Sequence, residues 1–201
     1  MRLKFNYLLL MLGLTLGLSA CSEKQTQSPQ DAVLQNIMTR TSIRSYQDRP
    51  VEAEKVDLIL KAGMAAPTAV NRQPWAFVVV DDKEVLQQLL AKSPRKTLST
   101  APMGIVVCGD MQKALEGPAQ EFWVQDASAA TQNILLAAHA LGLGAVWTGG
   151  YPIAERVEAT RSILGLPEYI IPLDVILIGY AAEEPTPKDK CKPETVHYNG
   201  W

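Results

Sequence analysis

Pro67-Thr68-Ala69-Val70-Asn71-Arg72-Gln73-Pro74-Trp75 leads directly into Ala76-Phe77-Val78-Val79-Val80. The second part, from Phe77 to Val80, reads as a short buried strand, because a β-branched apolar run between Pro74 and the acidic pair Asp81-Asp82 suits a pleated core position. The first part is a shaped polar loop. Its prolines limit chain freedom, and the amides of Asn71 and Gln73 offer both donors and acceptors. Such amides could meet the edge of a pyrimidine-like ring, or could satisfy backbone groups in a helix-to-strand connection; the residues alone leave both open. No Gly-rich phosphate loop follows this first strand, which disfavours a doubly wound dinucleotide fold.

Upstream of the loop, Val56, Ile59, Leu60 and Gly63 form a helical stripe that Pro67 stops. Before it, Val33, Leu34, Ile37 and Met38 recur at helical spacing after Asp31, a candidate cap, in a helix ending near Arg40. Downstream, the pattern predicts a helix over Asp82–Ala91, a buried strand over Gly104–Cys108 and a long Ala/Leu-rich helix over Trp123–Leu141. Ala145–Trp147 reads as a strand, Pro152 as the first turn of a helix reaching Leu164, and Leu173–Ile178 as the most apolar strand. Long helices around a few short strands without strict βαβ alternation give the class α+β.

Arg40-Thr41-Ser42-Ile43-Arg44 gathers two guanidinium groups and two hydroxyls just after a helix. Arg donates in a planar fork that suits a phosphate; a solvated basic turn is the alternative reading. The formal net charge is -2, so any anion site is local, and no nucleic-acid-binding motif is present. A chain of 201 residues with 47% hydrophobic and 20% charged content supports one ordinary core. Cys108 and Cys191 lack metal-ligand spacing and a disulfide framework pattern, and read as a small buried hydrophobe and an exposed thiol. No Ser/His/Asp constellation appears either. His139 falls within the apolar period of the long helix and reads as a satisfied core or interface residue. Trp75, Trp123 and Trp201 read as core or interface groups.

The N-terminus reads as a processing signal. Arg2 and Lys4 precede an apolar run from Tyr7 to Leu18, shorter than the roughly 20 residues a spanning helix needs. Leu18-Ser19-Ala20-Cys21 then resembles a bacterial lipoprotein signal, which implies residues 1–21 as signal peptide, lipidation at Cys21, and a lipid-anchored location in the bacterial cell envelope. Residues 22–30 are polar and read as a flexible linker, leaving 31–201 as the folded domain.

Taken in order, "RTSIRSY" (40–46), "AAPTAVNRQPWAFVVV" (65–80), "GLGAVWTGGYP" (142–152) and the ending "VHYNGW" (196–201) resemble the FMN-dependent nitroreductase family. The resemblance runs from about Val33 to Trp201. It implies an α+β sandwich with a central, mostly antiparallel sheet flanked by helices, an intertwined homodimer, and FMN at the dimer interface. On this basis Arg40, Ser42 and Arg44, with Thr41 alongside, match phosphate and ribityl contacts. Pro67, Thr68, Ala69 and Asn71 match the block that the second subunit contributes to the flavin, and Gln73 the amide beside it. Trp147, Thr148, Gly149 and Gly150 match the segment near N5 and O4 of the ring, where glycine permits close approach. Lys190 falls where relatives carry a phosphate-reaching cation, with Lys192 or Lys188 as substitutes.

Thr41 departs from the family, which often has a second Arg there, and export is unusual for it. Ser128-Ala129-Ala130-Thr131 loosely resembles sites of covalent FMN attachment, but lies in an Ala-rich helix, so non-covalent FMN is expected. His197 belongs to the ending block and reads as structural. The resemblance implies a ping-pong oxidoreductase in which NADH or NADPH delivers hydride to flavin N5 and an electron-poor small molecule, such as a nitroaromatic, quinone or activated alkene, then takes the electrons. No acid-base residue is required, since the flavin carries the chemistry. The alternative is a non-catalytic flavin- or ligand-binding exported lipoprotein.

Overall fold

A computed structural model of the chain describes residues 28–91 and 100–201. The signal segment, Cys21 and linker residues 22–27 lie outside the described residues. Helices α1 (Pro29–Thr39) and α2 (Ala53–Met64) precede strand β1 (Trp75–Val80) and helix α3 (Lys83–Ala91). Strand β2 (Met103–Asp110), helix α4 (Phe122–Ala140), strand β3 (Gly144–Gly149), helix α5 (Ala154–Leu164) and strand β4 (Ile170–Gly179) follow. The sheet has the order β1-β2-β4-β3, and each neighbouring pair is antiparallel. Helices and an antiparallel sheet in one sandwich make the class α+β, as the sequence predicts.

The core forms on both faces of the central pair β2 and β4. Ile105, Val107, Ile176 and Ile178 face α4, through Ile134, Leu135 and Ala138, and Ile59 of α2. Val106, Cys108 and Leu177 face the other way, toward Leu86 and Leu89 of α3 and Ile43. Two covered faces explain why these strands are continuously apolar rather than alternating. At the start of β4, register shifts at Val107/Cys108, a local irregularity next to Asp174.

Several boundaries differ from the sequence reading. Helix α1 is capped by Ser28, whose hydroxyl oxygen accepts from the Asp31 amide at 3.1 Å, and Pro29 takes the first turn. Asp31 is therefore a first-turn acid rather than the cap, and the helix starts inside the last linker residues. Pro152 lies before α5, not in its first turn. The strands extend beyond their apolar cores, to Trp75, Asp110 and Gly149, because ladder hydrogen bonds do not require apolar side chains. The apolar stripe of α1 does not pack inward: Val33, Leu34, Ile37 and Met38 are each at least half exposed.

Candidate functional site

The basic segment 40–46 is laid along the sheet edge. Ile43 N–H donates to Ala145 O at 3.1 Å and Ser42 makes a parallel bridge to Ala145. Buried Tyr46 anchors the far end through its hydroxyl, which donates to Ile43 O at 2.6 Å. Burial pushes that phenol well above its usual range, so it stays a neutral donor. Gly144 makes the docking possible. A Cβ there would fall 2.7 Å from Ile43 side-chain atoms, closer than any packed side chain tolerates.

This placement turns Arg40, Thr41, Ser42 and Arg44 toward the tail residues Glu183, Pro185, Thr186, Lys188 and Lys190, around a cavity of about 340 Å³. Four cations and one carboxylate line it. Glu183 Oε1 is already engaged, accepting from the Arg44 amide at 2.6 Å and the Ser45 amide at 3.2 Å. Arg44 Nη1 reaches Ser42 O at 3.3 Å, whereas its buried Nε has no hydrogen-bond partner. A buried guanidinium donor without a partner costs free energy. An anion with several oxygens fits this lining. Lys192, read as a substitute cation, is not part of it; its carbonyl accepts from Thr195 in a short 3-10 turn.

The loop at 67–73 is elsewhere on the chain. Its backbone is left-handed at Val70 (φ 42°), Asn71 (φ 56°) and Gln73 (φ 52°). For a β-branched residue such as Val70 this is an outlier that the surroundings must enforce. Two side chains do so. Asp126 Oδ1 accepts from the Ala69 amide at 2.8 Å, and Thr68 Oγ1 accepts from the Gln73 amide at 3.1 Å. Asn71 and Gln73 stand exposed, with Gln73 Nε2 donating to Asn71 Oδ1 at 3.2 Å, while Pro74 beneath them is fully buried.

The third patch is the end of β3. Trp147 is exposed, and Thr148 donates from its hydroxyl to Val175 O at 2.7 Å. A Cβ on Gly149 would meet nothing within 4 Å, so space lies open above it. Gly150 differs: its Cβ would sit 3.2 Å from Leu173 O, so the absent side chain there serves the chain's own packing.

All three patches are tied to α4. Asp126 holds the loop. Thr131 donates from its hydroxyl to Asp174 Oδ2 at 2.8 Å, and Asp174 is paired across the ladder with Gly149. His139 Nε2 lies 2.9 Å from Thr39 Oγ1, next to Arg40. Since that hydroxyl already donates to Gln35 O at 2.7 Å, His139 is the donor, with the proton on Nε2. Burial, then the charge of Arg40, pushes the imidazole below its usual range and keeps it neutral. The sequence reading missed Asp126 and Asp174. A carboxylate inside an apolar helical or strand period is the signal for both, since a buried acid needs a partner.

Asp174 is 1% exposed; burial raises its carboxyl to about 8, against the opposing effect of the Thr131 hydrogen bond, and Oδ1 has no partner. The same burial pushes the Cys108 thiol to about 12, which leaves it an inert small hydrophobe. Cys108 and Cys191 are both free. Ser128 to Thr131 are helical, and His197 stacks on Trp201 at 4.3 Å between ring centroids. Among the described residues no group of His, Cys, Asp and Glu could hold a metal, and no helix is long and apolar enough to cross a membrane.

These features define a sandwich with an anion cavity at one sheet edge and open space above Gly149 at the end of β3. A model of the nitroreductase family matches residues 37–96 and 91–180. A protein of Methanothermobacter thermautotrophicus, provisionally named NADH dehydrogenase/NAD(P)H nitroreductase, is 49% identical over 171 residues, covering 84% of this chain and 87% of the relative. The crystal structure of a Bacteroides thetaiotaomicron protein with the same provisional name is 46% identical with a TM-score of 0.79, over 85% of this chain and 98% of its own. An FMN-dependent nitroreductase from Clostridium difficile is 35% identical with a TM-score of 0.74, over 84% of this chain and 99% of its own. The chain belongs to the nitroreductase family.

Proposed function

We propose that this chain is an FMN-dependent oxidoreductase that draws electrons from NADH or NADPH and passes them to small electron-poor acceptors such as nitroaromatics, quinones or activated alkenes. The observation that carries the reading is the cavity lined by Arg40, Ser42, Arg44, Lys188 and Lys190, whose four cations match a phosphate monoester in charge. When bound, FMN supplies the hydride and electron chemistry. Arg40, Arg44 and Lys190 hold the phosphate, and Thr41 and Ser42 offer hydroxyls to the ribityl end. The open face above Gly149 admits the ring.

The loop with Pro67, Thr68, Ala69, Asn71 and Gln73 lines no part of the phosphate cavity in its own chain. It serves the site of a second copy in a homodimer. The outward apolar stripe of α1 supports that assembly, because exposed contiguous apolar surface marks an interface. The lipoprotein signal supports attachment through Cys21 to a bacterial envelope membrane.

Titration of FMN and riboflavin into parent and Arg44→Ala protein tests the reading. A charge-assisted hydrogen bond is worth on the order of 1.5–3 kcal/mol, so FMN binding should weaken roughly ten- to a hundredfold while riboflavin binding stays the same. Equal losses for both flavins would return the basic cluster to a structural turn. Bleaching of the bound flavin by NADH or NADPH separates the oxidoreductase from a non-catalytic flavin carrier.

A further inference from the structure

We propose that Asp126 is a positioning residue for the flavin ring: it holds the 68–73 loop in the left-handed form that meets the ring. This deepens the reading above and rests on the loop's role there. Three residues with side chains occupy the left-handed region within four positions, and Val70 is β-branched. Such a loop relaxes toward ordinary extended or right-handed conformations unless it is pinned. Asp126 is 6% exposed and sits on α4, whose buried residues fix its position in the core. Its carboxylate takes the Ala69 amide, the entry point of the 3-10 turn Ala69–Asn71. Thr68 closes the other end on the Gln73 amide. Pro74 then locks the exit, its carbonyl accepting from the Asp110 amide at 2.7 Å.

The consequence is directional. Asp126 lines no part of the phosphate cavity, so its loss should act on whatever the loop touches and not on the phosphate grip. Asn71 and Gln73, which the pinned backbone presents to solvent, carry the amides that would read the ring edge.

The test compares the full chain with its Asp126→Ala and Asp126→Asn variants. Amide hydrogen exchange across residues 69–73 is measured with and without flavin, alongside FMN and riboflavin titrations. Asp126→Ala should speed exchange in the loop and weaken both flavins by the same factor, roughly five- to tenfold, since the loop loses one hydrogen bond of ordinary net strength. Asp126→Asn keeps an acceptor oxygen and should restore both readouts, which a general loss of stability would not do. Unchanged exchange in Asp126→Ala, or faster exchange with undiminished binding of both flavins, would overturn the proposal. Should Asp126→Ala not fold, Asp126→Leu fills the same space without an acceptor, and unaltered loop exchange and riboflavin affinity in that variant would overturn it equally. Failure of Arg44→Ala to separate FMN from riboflavin would instead sink the phosphate reading, whatever Asp126 does.

Discussion

Replacing Asp174 with Asn should change how stability depends on pH. The carboxyl is buried against α4 with a single hydrogen bond, from Thr131, and its folded value of about 8 lies above the ordinary 3.8. The folded state therefore binds more protons than the unfolded chain between those values, and stability falls as pH rises through the interval. The favourable contribution is intact below 3.8 and gone above about 8. At about 1.4 kcal/mol per pH unit the loss is on the order of 5 kcal/mol. An amide at this position keeps an oxygen for Thr131 and never ionises, so Asp174→Asn should remove the slope. Urea unfolding at about pH 5, 7 and 9, at fixed protein concentration, measures it. The variant should gain on the parent by several kcal/mol across that range. Parallel curves for the two proteins would show that Asp174 is ionised in the fold and that its environment has been misread.

Gly144→Ala places a methyl 2.7 Å from the Ile43 side chain. Such overpacking costs roughly 1–3 kcal/mol, read as a lower melting temperature, and because Ile43 lies inside the basic segment, FMN affinity should fall with it. Cys21→Ala should release the protein from membranes and remove the mass of the lipid; retention on the membrane with unchanged mass would refute lipidation at that residue.

The helices and strands were readable in the sequence where one face or both are apolar. Phe77–Val80 and Gly104–Cys108 announced themselves, while Trp75, Asp110 and Gly149 joined the ladder unannounced, since register is set by partners rather than by local composition. The arginines of the basic segment were legible because two guanidinium groups so close together demand an anion or solvent. Glu183 was not, for it meets the Arg44 amide from 139 residues away. Helix α4 shows the same limit. Its Ala-rich pattern predicts a buried helix, yet nothing local tells that Asp126, Thr131 and His139 each reach a different functional patch. The stripe of α1 read correctly as apolar but pointed outward, because periodicity gives a face and not its partner.

The cavity that joins residues 40–44 to residues 183–190 has a consequence for timing. Its two walls are made early and late in synthesis, and Gln47 and Ala182 are tied across the gap by backbone bonds to Tyr180 and Ser45. A growing or threading chain cannot hold an anion there until β4 has joined the sheet and the tail has turned back onto the first basic residues. Closing that long loop is slow relative to helix formation. An anion is thus captured there only after these two ends of the chain have met.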